Sequence, residues 1–112
     1  NIGIVNFLNV TNMDNSELEA LQANAELAVA LLKRMAHKDR LLILCHLTTG
    51  EMSAGELARR SLLSQSAFSQ HLGVLRAEKL VKTRKEAQSI YYSLSNDAVL
   101  EVLATLKQIF CK

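Results

Sequence analysis

Between Gln65 and Leu94 the apolar residues change their period, and that change limits the fold more than any other feature. Phe68, Leu72 and Leu75 recur at three- and four-residue steps, one face of a helix. Ile90, Tyr92 and Leu94 then alternate with Ser89, Tyr91 and Ser93, the mark of a strand with one buried side. Ser64 is placed to cap the helix, which is expected from Gln65 to about Ala77. Upstream, Ser53 and Glu56 have the spacing of a capping box and open a short helix from Ala54 to Arg60. Ser61, Leu62 and Leu63 turn the chain between the two helices. A strand over 81–85 precedes the Ser89–Leu94 strand, and the turn at Glu86 and Ala87 lacks a glycine to define its type. Helix, tight turn, polar helix, basic hairpin is the order that sets a helix in a DNA major groove with a hairpin beside it.

The flanks supply more helices. Ser16 and Glu19 read as another capping box, followed by Leu18, Leu21, Ala25, Ala28, Leu32 and Met35 at helical steps to about residue 36. A second helix starts near Lys38 or Asp39, carries Leu41, Leu44, Cys45 and Thr48 on one face, and ends at Gly50. Asn96 or Asp97 caps a last helix with Val99, Val102, Leu103, Leu106, Ile109 and Phe110 apolar. The expected fold is therefore mainly α (α+β), with five helices and a two-stranded hairpin. The absence of proline and the count of four glycines favour long helices over a turn-rich β fold.

A length of 112 residues suits one domain, taken as residues 13–112. Residues 1–12 read as an arm or a segment foreign to the native chain, with Met13 as the native start. They lack the charged leader and small-residue cleavage pattern of a signal peptide. No apolar run approaches the roughly 18 residues of a membrane span, so a cytoplasmic location is expected.

Charge is unevenly spread along the chain. Residues 53–92 carry seven Lys or Arg against three Asp or Glu, a net +4, whereas the whole chain is only +2. A basic segment lying over a helix–turn–helix pattern is the electrostatic footprint of nucleic-acid binding. Gln65, Ser66, Ser69 and Gln70 form a short polar face able to reach base edges, with His71 at its border. Ser64, Arg76, Lys82, Arg84, Lys85 and Gln88 are candidates for phosphate contacts from the helix end and hairpin, with Arg59 and Arg60 flanking them. Leu57 against Phe68 and Leu72 would hold the polar helix rigid.

The run GELARRSLLSQSAFSQHLGVLRAEKLVKTRKEAQSIYYSL resembles the winged helix-turn-helix of the ArsR/SmtB repressors, and the similarity extends over about residues 16–111. The resemblance implies a homodimer formed through the first and last helices. Two recognition helices would then enter successive major grooves of an inverted-repeat operator in double-stranded DNA. Lys79 departs from the family pattern, which has glycine after the recognition helix. Gly73, inside that helix, serves a close approach either to DNA or to a neighbouring helix.

The family's two metal sites have no ligands here. The first helix of the motif reads GELARRS where a Cys-x-Cys pair would stand, and the last helix offers Asp97, Glu101 and Lys107 but no histidine. His37, His46 and His71 are scattered along the chain and read as structural, so no metal or other cofactor is expected. Two cysteines remain, Cys45 within RLLILCHL and Cys111 within IFCK. With TRKEAQ in the wing, these resemble the HlyU/BigR-type branch of the family. That resemblance implies a thiol switch at Cys45 and Cys111, with a persulfide, polysulfide or oxidant as inducer and a disulfide or polysulfide bridge as product. It implies a transcriptional repressor, with two alternatives: an activator that displaces a silencer, as for HlyU, or a metal-responsive repressor. No glycine-rich phosphate loop, GxSxG or HExxH pattern is present, so an enzyme is not expected.

Overall fold

The computed structural model describes residues 12–111. All but one residue of the expected arm over 1–12 lies outside the described residues. Packing divides the chain into two compact units, with the boundary between Lys33 and Arg34.

The first unit holds α1 (Asn15–Ala23) and most of α2 (Ala25–Met35). Its capping box is Asp14 with Glu17, two residues earlier than the expected Ser16 with Glu19. The Asp14 carboxylate accepts from the Glu17 amide at 2.8 Å and from the Ser16 hydroxyl at 2.8 Å, while Glu17 accepts from the Asp14 amide at 3.3 Å. An ionised carboxylate is the stronger acceptor, so Ser16 becomes a donor to the cap instead of being the cap. The Glu17 amide bond, then the Ser16 bond, hold the Asp14 carboxyl below its usual range.

The first helix is not continuous to residue 36. Asn24 leaves helical geometry at φ −110°, and its side-chain amide donates to the Ala20 carbonyl at 3.0 Å. That local side-chain bond competes with the helical ladder. The described residues therefore form six helices, not five.

The second unit holds the end of α2, then α3 (Lys38–His46), β1 (Met52–Ser53), α4 (Ala54–Arg60), α5 (Gln65–Ala77), β2 (Val81–Glu86), β3 (Ser89–Leu94) and α6 (Asp97–Phe110). The sheet is antiparallel in the order β1-β3-β2, with Met52 opposite Tyr92 and Val81 opposite Leu94. It has three strands where the sequence indicated two. Leu44, Leu57, Leu75, Leu80 and Val99 are wholly enclosed at the centre of the core.

The buried face of α3 is Ile43 and Leu44, continued by Leu47; of the expected Leu41, Leu44, Cys45 and Thr48 only Leu44 is buried. Cys45 and Thr48 are exposed. The run LLILCHL is apolar on adjacent stripes, so spacing alone cannot choose between them. The helix ends at His46, and Gly50, with φ of 137°, lies in the turn beyond it.

At the end of α5 the Leu80 amide donates to the Leu75 carbonyl at 3.0 Å and the Lys79 amide to the Arg76 carbonyl at 3.1 Å. These are the two bonds of a Schellman motif, with Leu75 and Leu80 as its buried apolar pair. Lys79 occupies its left-handed position at φ 60°, the place where glycine is usual. The Lys79 carbonyl accepts the Ser95 hydroxyl at 2.6 Å, which fixes this corner to the end of β3.

Glu86 pairs with Ser89, so the hairpin loop is Ala87 and Gln88, not Glu86 and Ala87. Ala87 has φ of 56°, and among the described non-glycine residues only it and Lys79 have positive φ. A positive first position and a negative second give the sign pattern of a type II′ turn, which matches the twist of the two strands.

Candidate DNA interface and thiol pair

The turn between α4 and α5 is built by hydroxyl caps. Ser53 accepts from the Glu56 amide at 3.1 Å, and Ser64 accepts from the Ala67 amide at 3.2 Å. The Ser53 box is only half formed, because Arg59 and Arg60 take the Glu56 carboxylate at 2.8 and 2.9 Å. Those two arginines hold the Glu56 carboxyl below its usual range. Leu57, Phe68, Leu72 and Leu75 are buried and hold α4 and α5 in the core.

The opposite side of α5 is open. Gln65, Ser66, Ser69 and Gln70 are all exposed. Ser64 is exposed too, and its capping bond leaves the hydroxyl proton free to donate. Gly73 lies four residues after Ser69 and three after Gln70, on the same stripe. A Cβ added there would meet nothing within 4 Å. No neighbour within the described chain requires the glycine, which removes the helix-packing alternative for this protomer.

Arg76 follows on this side, exposed, with its guanidinium 3.5 Å from the hydroxyl of buried Tyr92. On the wing, Lys82, Lys85 and Gln88 are exposed. Arg84 is engaged differently. Glu51 grips it with two bonds of 2.7 and 2.8 Å, and its guanidinium lies 4.6 Å from the centre of the Tyr91 ring. The hydrogen bonds from Arg84, aided by its charge, hold the Glu51 carboxyl below its usual range. Sequence spacing gave no sign of this pair, since Glu51 and Arg84 are far apart in the chain and meet only through the β1–β3–β2 sheet.

His71 is half-buried at the border of the polar face and faces inward groups. Its Nε2 lies 3.9 Å from the Asp39 carboxylate, and its ring centre lies 4.7 Å from that of His37. His37 and His71 are therefore not scattered, as the sequence suggested. The packing of α3 on α5 brings them together, and no sequence period connects the two positions.

Cys45 and Cys111 are both exposed free thiols within the second unit. Partial burial pushes the Cys45 thiol above its usual pKa, and charge on Cys111 adds to the rise. Cys111 caps the end of α6, with its amide donating to the Lys107 carbonyl at 2.9 Å. Among the described residues no helix is long and apolar enough to cross a membrane.

A sequence model of the bacterial regulatory proteins of the arsR family matches residues 37–83. The chain is 53% identical over 97 residues to the HTH-type transcriptional regulator YgaV of Escherichia coli, covering 86% of this chain and 98% of the relative. It is 48% identical to the transcriptional activator HlyU of Vibrio cholerae, covering 85% of this chain and 88% of that one. Among solved structures, the transcriptional repressor BigR from Xylella fastidiosa superposes with a TM-score of 0.78 at 36% identity, covering 84% of this chain and 96% of that one.

Proposed function

The chain belongs to the arsR family of bacterial regulatory proteins and is a DNA-binding transcriptional regulator, and from that premise we propose a dithiol-switched repressor that acts as a homodimer on an inverted-repeat operator. Gln65, Ser66, Ser69 and Gln70 read base edges from α5, while His71, turned toward Asp39 and His37, borders that face. Ser64, Arg76, Lys82, Arg84, Lys85 and Gln88 meet phosphates. A homodimer is supported by the exposed apolar residues Leu100, Ile109 and Phe110 of α6 and Leu18, Leu21, Leu27 and Leu32 of the first unit. The expected cytoplasmic location fits thiols that are held reduced until challenged.

The observation that carries the switch is the placement of two exposed free thiols in one unit, Cys45 on α3, which packs on the recognition helix, and Cys111 at the end of α6. In this proposal Cys111, exposed at the end of α6, makes the first attack and Cys45 resolves it. The Cys111 thiolate attacks the outer sulfur of an organic persulfide RSSH, forming a Cys111 persulfide and releasing RSH. Cys45 then attacks the Cys111 sulfur, closing a disulfide and releasing hydrogen sulfide. Two protein thiols are oxidised and one persulfide S–S bond is reduced. A second equivalent of RSSH gives its outer sulfur to the Cys111 persulfide and leaves as RSH, and Cys45 attack on the middle sulfur then closes a trisulfide bridge and releases hydrogen sulfide. The bridge biases the spacing of the two recognition helices, and a loss of about 1–3 kcal/mol suffices for a 5- to 150-fold change in affinity.

Fluorescence anisotropy on DNA from upstream of its own coding region tests this reading. Reduced protein is expected to bind tightly, release on persulfide treatment and rebind after reductant. Cys45→Ser protein is expected to stop at the Cys111 persulfide and stay bound. Release of DNA by persulfide from Cys45→Ser and Cys111→Ser proteins alike defeats the switch. A second reading, activation by displacement of a silencer, is favoured by the similarity to the activator HlyU. It uses the same DNA contacts, and transcript levels in a deletion strain separate it from repression.

A further inference from the structure

We propose that His37, Asp39 and His71 form a binding site for a divalent first-row transition cation of the zinc type, joining the start of α3 to the recognition helix. Among the described residues these three are the one His/Cys/Asp/Glu group whose ligand atoms all lie within 4.8 Å of one another. Two imidazoles and one carboxylate are a donor set that suits zinc, with the fourth position left to water. At zinc–ligand distances of about 2.0–2.2 Å the ligand atoms of a tetrahedral site stand roughly 3.5 Å apart. The His71 Nε2 and Asp39 oxygen, at 3.9 Å, are already close to that separation. Side-chain rotation supplies the rest. All three residues are half-buried, shielded enough to order the site yet reachable by an ion from solvent.

The site is wired to the start of α3. The Nδ1 of His37 accepts the Asp39 amide at 3.2 Å, so in the metal-free state Nε2 carries the ring proton. An ion at Nδ1 displaces that amide. An ion at Nε2 requires the proton to move to Nδ1, which breaks the same bond. Either route exchanges the cap of α3 for a coordination bond. Cation binding therefore acts at the joint between α3 and the recognition helix, through a site separate from the two cysteines and from the positions of GELARRS and of Asp97 and Glu101.

Full-length protein with Cys45→Ser and Cys111→Ser, which removes both thiolates as competing ligands, is titrated with Co²⁺ and followed by its visible absorption. We expect a tetrahedral d–d band that saturates at one ion per chain and disappears when Zn²⁺ is added. The band is lost when His71→Gln or Asp39→Asn is added to that protein. Circular dichroism checks that each variant is folded, and Asp39→Asn preserves side-chain volume. No band at saturating Co²⁺ overturns the site, as does a band of undiminished strength in both variants. The readout is independent of DNA, so it stands or falls apart from the thiol switch.

Discussion

Two residues, one inside the recognition helix and one just past its end, break the rules of helix chemistry in opposite ways. Gly73 is a poor helix former placed where nothing in the described chain needs its missing side chain. Lys79 is a side chain placed at φ 60°, where none is preferred. Replacing Gly73 with Ala is expected to stabilise the fold by about 1 kcal/mol in urea unfolding, through helix propensity alone. The same variant is expected to bind operator DNA more weakly, because its methyl group projects from the stripe shared by Ser66, Ser69 and Gln70. Lys79→Gly is expected to stabilise by about 1 kcal/mol with no loss of specific binding, since it relieves a backbone position at the helix end. Tighter operator binding by Gly73→Ala removes the glycine from the DNA face. Gly73 was visible in the sequence against helix propensity, and Lys79 through the resemblance to a family pattern that has glycine there. The Asp14 cap was not, since Ser16 and Glu19 offered an equally good pattern and only the strength of a carboxylate acceptor decides between them.

At the scale of elements, β3 was read to its last residue because strict alternation over Ser89–Leu94 has no helical equivalent. Its partner β1 was missed because two residues carry no period. That short strand has a consequence for the wing: it follows directly on Glu51, whose carboxylate holds Arg84. The wing cations are therefore unequal. Lys82→Ala and Lys85→Ala are each expected to lower the slope of log affinity against log salt by about one. Arg84→Ala is expected to change it less, because Glu51 already offsets that charge. Glu51→Gln is expected to tighten binding to specific and random DNA alike. Measured salt slopes that fall equally for Arg84→Ala and Lys85→Ala contradict this ranking. No local pattern could reveal it, as the pair forms only once the sheet has closed.

For the whole molecule, the apolar stripe of α6 was legible as a stripe but not as two faces. Val99 and Leu103 turn inward, while Ile109 and Phe110 remain 54% and 77% exposed. A surface of this kind is left for a partner, and a second copy of the chain is the partner proposed. Ile109→Asp and Phe110→Asp are expected to shift the mass in light scattering from dimer toward monomer. Operator affinity is then expected to fall with it, because two half-sites are no longer read together. A dimer that persists in the double variant moves the interface elsewhere. The inward half of the stripe keeps Val99 and Leu103 untouched, so the second unit is expected to remain folded in that variant.

The corner at Lys79 also ties the recognition helix to the wing without slack. The Schellman bonds end α5 at Ala77, Val81 begins β2 four residues later, and Ser95 clamps the Lys79 carbonyl between them. Helix and wing are thus two jaws of a caliper with a fixed opening. A duplex meets both at once or must bend to do so, and stiff and pliable base steps differ in what that bending costs. In the proposed DNA complex, selectivity is expected to reach base pairs that no side chain touches, with groove width as part of the message.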